Sequence, residues 1–188
     1  MDEVLDQPLF DKTTPQVKYG GFWARLGALL LDGLILSPIS FGLTYFNISS
    51  WKSALLLVLI SVIGIAYKPF MEFNYGATWG KMALKLKVTN AEFGKAEFSE
   101  ILLRNIFHIL PTLITLLYTV AVVFTNPDFE SVSGWGDYTK FLQQFKTLTY
   151  INYASGLVTL VDAIMLVADD QKRSLHDRIG KTFVIEHA

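Results

Sequence analysis

The chain has no cysteine. Disulfides and thiolate metal sites are therefore excluded, and the redox compartment cannot be inferred. Charge is also scarce: Asp, Glu, Lys and Arg make up 18% of the 188 residues, whereas soluble domains carry about 25%. The three histidines, His108, His176 and His187, share no metal-ligand spacing, and His176 beside Asp177 builds no nucleophile. No metal, cofactor or catalytic constellation is expected, so an enzyme is not the expected reading. A nucleic-acid partner is not expected either. The opening "MDEVLDQPLFDKTTPQVKYGG" has no basic n-region followed by an apolar core and is not expected to be a cleavable signal peptide. "GATWGK" has three residues between Gly76 and Gly80, and Met82 follows Lys81. A phosphate loop needs four residues there, and a Ser or Thr after the lysine.

Apolar residues are abundant: 52% of the chain is hydrophobic, with 14 Phe and 8 Tyr, and the mean hydropathy is +0.38. Four segments reach the roughly 17 to 25 residues that a spanning helix needs. They cover about 24–46, 53–70, 100–124 and 150–168. Pro38, Pro69 and Pro111 mark kinks or ends, which membrane helices tolerate. The expected fold is thus an all-α membrane protein with four transmembrane helices, following a tail at 1–20 and filling 21–186. Of the 16 Lys and Arg residues, only Lys52, Lys140 and Lys146 fall in the loops on one side. That bias predicts an even number of spans, with both termini in the cytoplasm. The setting that follows is the cytoplasmic (inner) membrane. "NIS" at 47–49 matches a glycosylation acceptor but lies close to the bilayer.

Between the second and third spans, Leu84, Leu86 and Val88 alternate with Lys85, Lys87 and Thr89, the period of a half-buried strand. Ala96 to Phe98 is expected to pair back as a hairpin at the membrane surface, with Ser99 capping the third helix.

Charges within lipid segments carry the rest of the reading. "GFWARLGALLLDGLIL" places Arg25 at the mouth of the first helix and Asp32 seven residues deeper, about 10 Å along the axis. Arg25 can snorkel. Asp32 cannot, so it must find a partner, bind a cation or carry a proton. Asp162, in the fourth helix, is expected at a similar depth, and two carboxylates at one depth suit a cation or a shared proton. His108, one turn after Arg104, is read as an interfacial side chain. Arg25 and "LHDR" fall on the same side of the membrane, so Asp177 is expected to meet Arg25 and tie the C-terminal segment to the first helix.

"RLGALLLD", "GATWGKMALKLKV" and "DDQKRSLHDRIGKTFVI", in this order, resemble the RDD family of small multi-pass membrane proteins, named for one arginine and two aspartates. The resemblance assigns Arg25 and Asp32 to the first two signature positions, and either Asp177 or Asp162 to the third. It also marks Gly76, Thr78, Gly80 and Lys81 as a loop motif, with Arg104, Asn105, His176 and Arg178 in support. It implies transport of ions or small solutes. The other reading is an accessory subunit of a larger membrane complex. The partners expected are the lipid bilayer, a second copy or a membrane-complex partner, and a cation or proton.

Overall fold

The computed structural model describes residues 17–187, so most of the 1–20 tail, Lys12 included, lies outside the described residues. The chain is mostly helical. α1 (Phe22–Phe46) contains Pro38 and runs into a π-helical turn at Asn47–Trp51. Lys52 breaks the run with a left-handed backbone, and the Ser53 side chain caps α2 (Ala54–Tyr75) by accepting from the Leu56 N–H at 3.3 Å. Short helix α3 (Trp79–Ala83) and strand β1 (Leu86–Thr89) follow, then α4 (Phe98–Arg104) and α5 (Ile106–Tyr118). A π turn at Thr119–Val123 and a 3-10 turn at Pro127–Ser131 lead to α6 (Trp135–Leu142). α7 (Lys146–Ala168), α8 (Leu175–Ile179) and β2 (Phe183–Glu186) complete the fold.

Four helical runs are long and apolar enough to cross a bilayer: Phe22–Trp51, Ala54–Tyr75, Ile106–Val123 and Lys146–Ala168. Their outward faces carry exposed leucines and isoleucines, with Leu34 at 71%. Such a surface is tolerable in lipid but not in water. The helices alternate in direction, which gathers α3, α4, α8 and both strands at one end. Here Ala28, Leu86, Val88, Ala96, Ile101 and Val184 form one buried core. A second core, of Ile48, Val123, Phe129, Val132, Phe145 and Leu148, lies at the opposite end under α6 and the 3-10 turn.

Several sequence expectations are corrected. β1 does not pair with Ala96–Phe98. Its antiparallel partner is β2, with Leu86 opposite Glu186 and Thr89 opposite Phe183. The N-terminal segment joins the far edge of β2 through a Tyr19–Ile185 bridge and a Gly20 N–H donated to the Val184 carbonyl at 2.8 Å. Residues 96–98 cannot pair because Glu97 opens α4. Glu97 accepts from the first turn, and Glu100 accepts from the Glu97 N–H at 2.8 Å. That reciprocal capping box displaces Ser99 from the cap. The third span is broken at Asn105, because Arg104 and Asn105 both turn toward Glu72. The second continues past Phe70 to Tyr75, and the fourth begins at Lys146. The Asn47 side chain is fully buried and bonded to the Ser53 backbone in both directions, so it is closed to glycosylation in this fold.

Candidate functional site

The four residues of the loop motif serve two carboxylates. Gly76 ends α2 with φ +72, a conformation that suits glycine. The turn that follows lays α3 against α1. Thr78 then donates its hydroxyl to Asp32 Oδ2 at 2.6 Å, and the Gly80 N–H donates to Oδ1 at 2.7 Å. Tyr67, on α2, donates its hydroxyl to Oδ1 at 2.9 Å. Three donors around one carboxylate supply the compensation that an intramembrane aspartate requires. The backbone N–H that a phosphate loop would offer to a ligand is used here on the protein's own side chain.

Lys81, on the other face of α3, reaches Glu72 Oε1. Glu72 is fully buried, and its Oε2 accepts from Arg104 Nε at 3.3 Å and Asn105 Nδ2 at 3.0 Å. Arg104 is the hinge of the network. Its Nη1 donates to Asp177 Oδ1 and, at 3.0 Å, to the Thr182 hydroxyl. Asp177 Oδ2 accepts from Arg25 Nη1 and from the Ser174 N–H at 3.0 Å, as part of the α8 capping box. Arg25 also donates to the Gly20 carbonyl at 2.8 Å and the Lys172 carbonyl at 2.5 Å. Arg25 and Asp177 therefore meet, but as one edge of a chain running Lys81, Glu72, Arg104, Asp177, Arg25. Charge reversal of that pair alone cannot be neutral, because Asp177→Arg would also face Arg104.

Burial acts against ionisation of Asp177, yet Arg104 and Arg25 outweigh it and hold its carboxyl well below the usual carboxylate range. Burial likewise opposes the Arg104 charge, but Asp177 and Glu72 more than compensate. For Lys81 burial wins: its ammonium is pulled down to about 8 even with Glu72 alongside.

Asp162 is placed apart from Asp32, with its own partners. Its Oδ1 meets His176 Nδ1 at 2.7 Å and accepts from the His176 N–H at 3.0 Å. The same Nδ1 lies 2.9 Å from the Ser174 hydroxyl, and Nε2 lies 3.6 Å from Asp177 Oδ1. Arg178 is more peripheral, pairing with Asp169 at 2.5 Å.

Burial, then the neighbouring Arg104, push His176 down to about 4 from an ordinary 6.5, although Asp162 and Asp177 pull the other way. Between those two pH values the unfolded chain takes up a proton that the folded chain refuses, so stability falls as pH drops through the window. Melting in detergent from about pH 7 to about pH 4.5 should show this loss in the wild type and a shallower one in His176→Gln. Parallel profiles would assign the loss to other groups.

Glu72 is the residue that sequence reasoning missed, along with Tyr67, Ser174 and Thr182. Its signal was an acid one turn after Lys68 in "YKPFMEF", hidden by ending the second span at Phe70. No curated protein and no solved structure matches the chain. The model described as "RDD family" matches residues 19–181, which include Arg25, Asp32 and both candidates for the second aspartate. With the match covering most of its length, this chain of four apolar helices belongs to the RDD family of membrane-type proteins.

Proposed function

We propose that the protein is a non-enzymatic carrier that passes a proton or small cation across the bilayer, with Asp162 as the receiving carboxylate and His176 beside it. The observation that carries this reading is an unequal saturation of the charges. Asp32, Glu72 and Asp177 have both oxygens engaged. Asp162 uses only Oδ1 among the described residues, and its side chain and that of His176 are 22% and 21% exposed. A carboxylate with a free, accessible oxygen can take up a cation or proton without dismantling the fold, and the others cannot. This moves the working charge from Asp32 to Asp162 and leaves Asp32 to fix α3 against α1.

Flux should be measured in proteoliposomes under an imposed pH or sodium gradient. Asp162→Asn should reduce it about ten-fold or more, the scale of losing a bond to a charged group, while folded yield is kept. Flux that survives Asp162→Asn intact would end the proposal. The reading also places the ionic end in the cytoplasm, on the basic-residue bias. Tags after His187 and between Glu92 and Lys95 should then report the inside, and one between Val132 and Asp137 the outside. The reverse pattern would invert the orientation.

An accessory role is the second reading. It is favoured by an open apolar face where α1 meets α7, formed by Phe22, Ala163, Ile164, Val167 and Ala168. Tight copurification with a larger membrane complex, together with absent flux, would select it.

A further inference from the structure

Asp162 Oδ1 takes both of its donors from one residue, the His176 N–H at 3.0 Å and the ring Nδ1 at 2.7 Å. An ionised carboxylate can only accept, so the proton of the neutral ring is on Nδ1. The hydroxyl oxygen of Ser174, a fully buried residue, lies 2.9 Å from that same nitrogen. Nδ1 thus stands between two oxygens, only a few tenths of an ångström farther from them than the roughly 2.3–2.6 Å at which oxygen ligands hold a hard cation such as calcium. The place that a metal cation would take is filled by an N–H of the chain itself.

The far side of the ring offers a cation nothing more. Nε2 lies 3.6 Å from Asp177 Oδ1, and both Asp177 oxygens are engaged by Arg104 and Arg25. Those two guanidinium groups add positive charge at the ring's back. His176 is held in place by the capping box that Ser174 and Asp177 form around the start of α8. What is left for an ion is Asp162 Oδ2, one oxygen on a side chain that is 22% exposed. Hard metal cations are held by a shell of oxygens, about six or more for calcium. A proton needs one lone pair.

We propose that the ion taken up at Asp162 is a proton, held on Oδ2, and that His176 restricts the site to it by standing where a metal cation would bind. The inference rests on the carrier reading above and names its ion. In the step itself, a lone pair of Oδ2 takes a proton from hydronium, leaving water and a neutral carboxyl, and release is the reverse. Oδ1 keeps both of its N–H bonds throughout, so neither α7 nor α8 has to move for uptake.

The test uses the full chain in proteoliposomes, for proton and sodium flux, and in detergent, for melting in sodium chloride against choline chloride at equal ionic strength. The wild type should show proton flux that needs Asp162, no sodium flux, and the same Tm in both salts. His176→Ala removes the ring and leaves Asp162 Oδ1, Oδ2 and the Ser174 hydroxyl around the vacated position. It should gain a rise in Tm specific to sodium, absent when Asp162→Asn is added. Its preference for protons over sodium should fall about ten-fold or more, the scale of one contact to a charged group. His176→Asn, whose amide N–H can replace Nδ1–H, should stay indifferent to sodium. A purely structural role for the ring would lower Tm equally in both salts. Sodium flux or a sodium-specific Tm in the wild type, lost in Asp162→Asn, would overturn the inference and leave the carrier reading standing, and this comparison holds whether or not the His176 variants fold. A folded His176→Ala that ignores sodium would remove His176 as the selecting residue. If neither ion moves by way of Asp162, the carrier reading itself falls, and the inference with it.

Discussion

Arg104→Met is expected to destabilise the protein by about 3–5 kcal/mol, the cost of breaking a buried ion pair by removing one partner. Methionine retains much of the side-chain volume, so the loss is electrostatic rather than a cavity. Arg104 is 1% exposed and binds Glu72, Asp177 and Thr182 at once. Without it, two fully buried carboxylates keep one basic partner each, Lys81 and Arg25, and the bridge between α2, α4 and α8 is gone. Arg178→Met is the matched comparison. Arg178 is 47% exposed and, among the described residues, pairs only with Asp169, and an exposed pair is worth about 0–1 kcal/mol. Denaturation midpoints in one detergent, with folded yield, decide the matter. If the two variants lose the same amount, the network is not what holds this end together.

Gly80→Ala is expected to be nearly as damaging, although it adds one methyl group. A Cβ on Gly80 would lie 2.0 Å from the Ala28 carbonyl oxygen and 3.0 Å from the Asp32 carboxyl carbon. The first obstacle is backbone within α1 and cannot rotate away. α3 must lift, which takes Thr78 and the Gly80 N–H from Asp32 and leaves an intramembrane carboxylate short of donors. Overpacking and the loss of bonds to a charged group together amount to about 3 kcal/mol or more. Gly33→Ala, one residue past Asp32 with nothing within 4 Å of the added carbon, should be tolerated. A melting curve for Gly80→Ala that overlays that of Gly33→Ala would show that α3 does not need its close approach to α1.

The parts of this fold visible in the sequence are those set by solvent. The apolar runs of α1 and α7 are legible by length and composition as helices able to cross a bilayer, and Arg25 and Asp177 could be brought together by counting spans. What stayed hidden depends on contacts distant in sequence. Nothing local to "LKVT" says that its partner is "FVIE" about a hundred residues on. Pro69 looked like an end, yet its missing N–H is tolerated within α2, which carries Glu72 into the network. The break at Asn105 is likewise imposed from outside, by a carboxylate on another helix. Asp32 was legible as a charge in need of compensation, but its donors include a backbone N–H, which has no residue-type signature.

The two buried cores differ in when their parts exist. The core under α6 is assembled from residues between Ile48 and Leu148 and needs nothing beyond the start of α7. The ionic end needs Gly20, β1 and β2 together, and Asp177 and β2 follow the fourth helix in the chain. Arg104 therefore waits for one of its two carboxylates until α7 is in place, and Arg25 waits for that same Asp177. During synthesis the half-built protein is thus a bundle closed at one end and electrostatically open at the other. Arg25 and Arg104 gain their shared carboxylate only when the C-terminal segment docks.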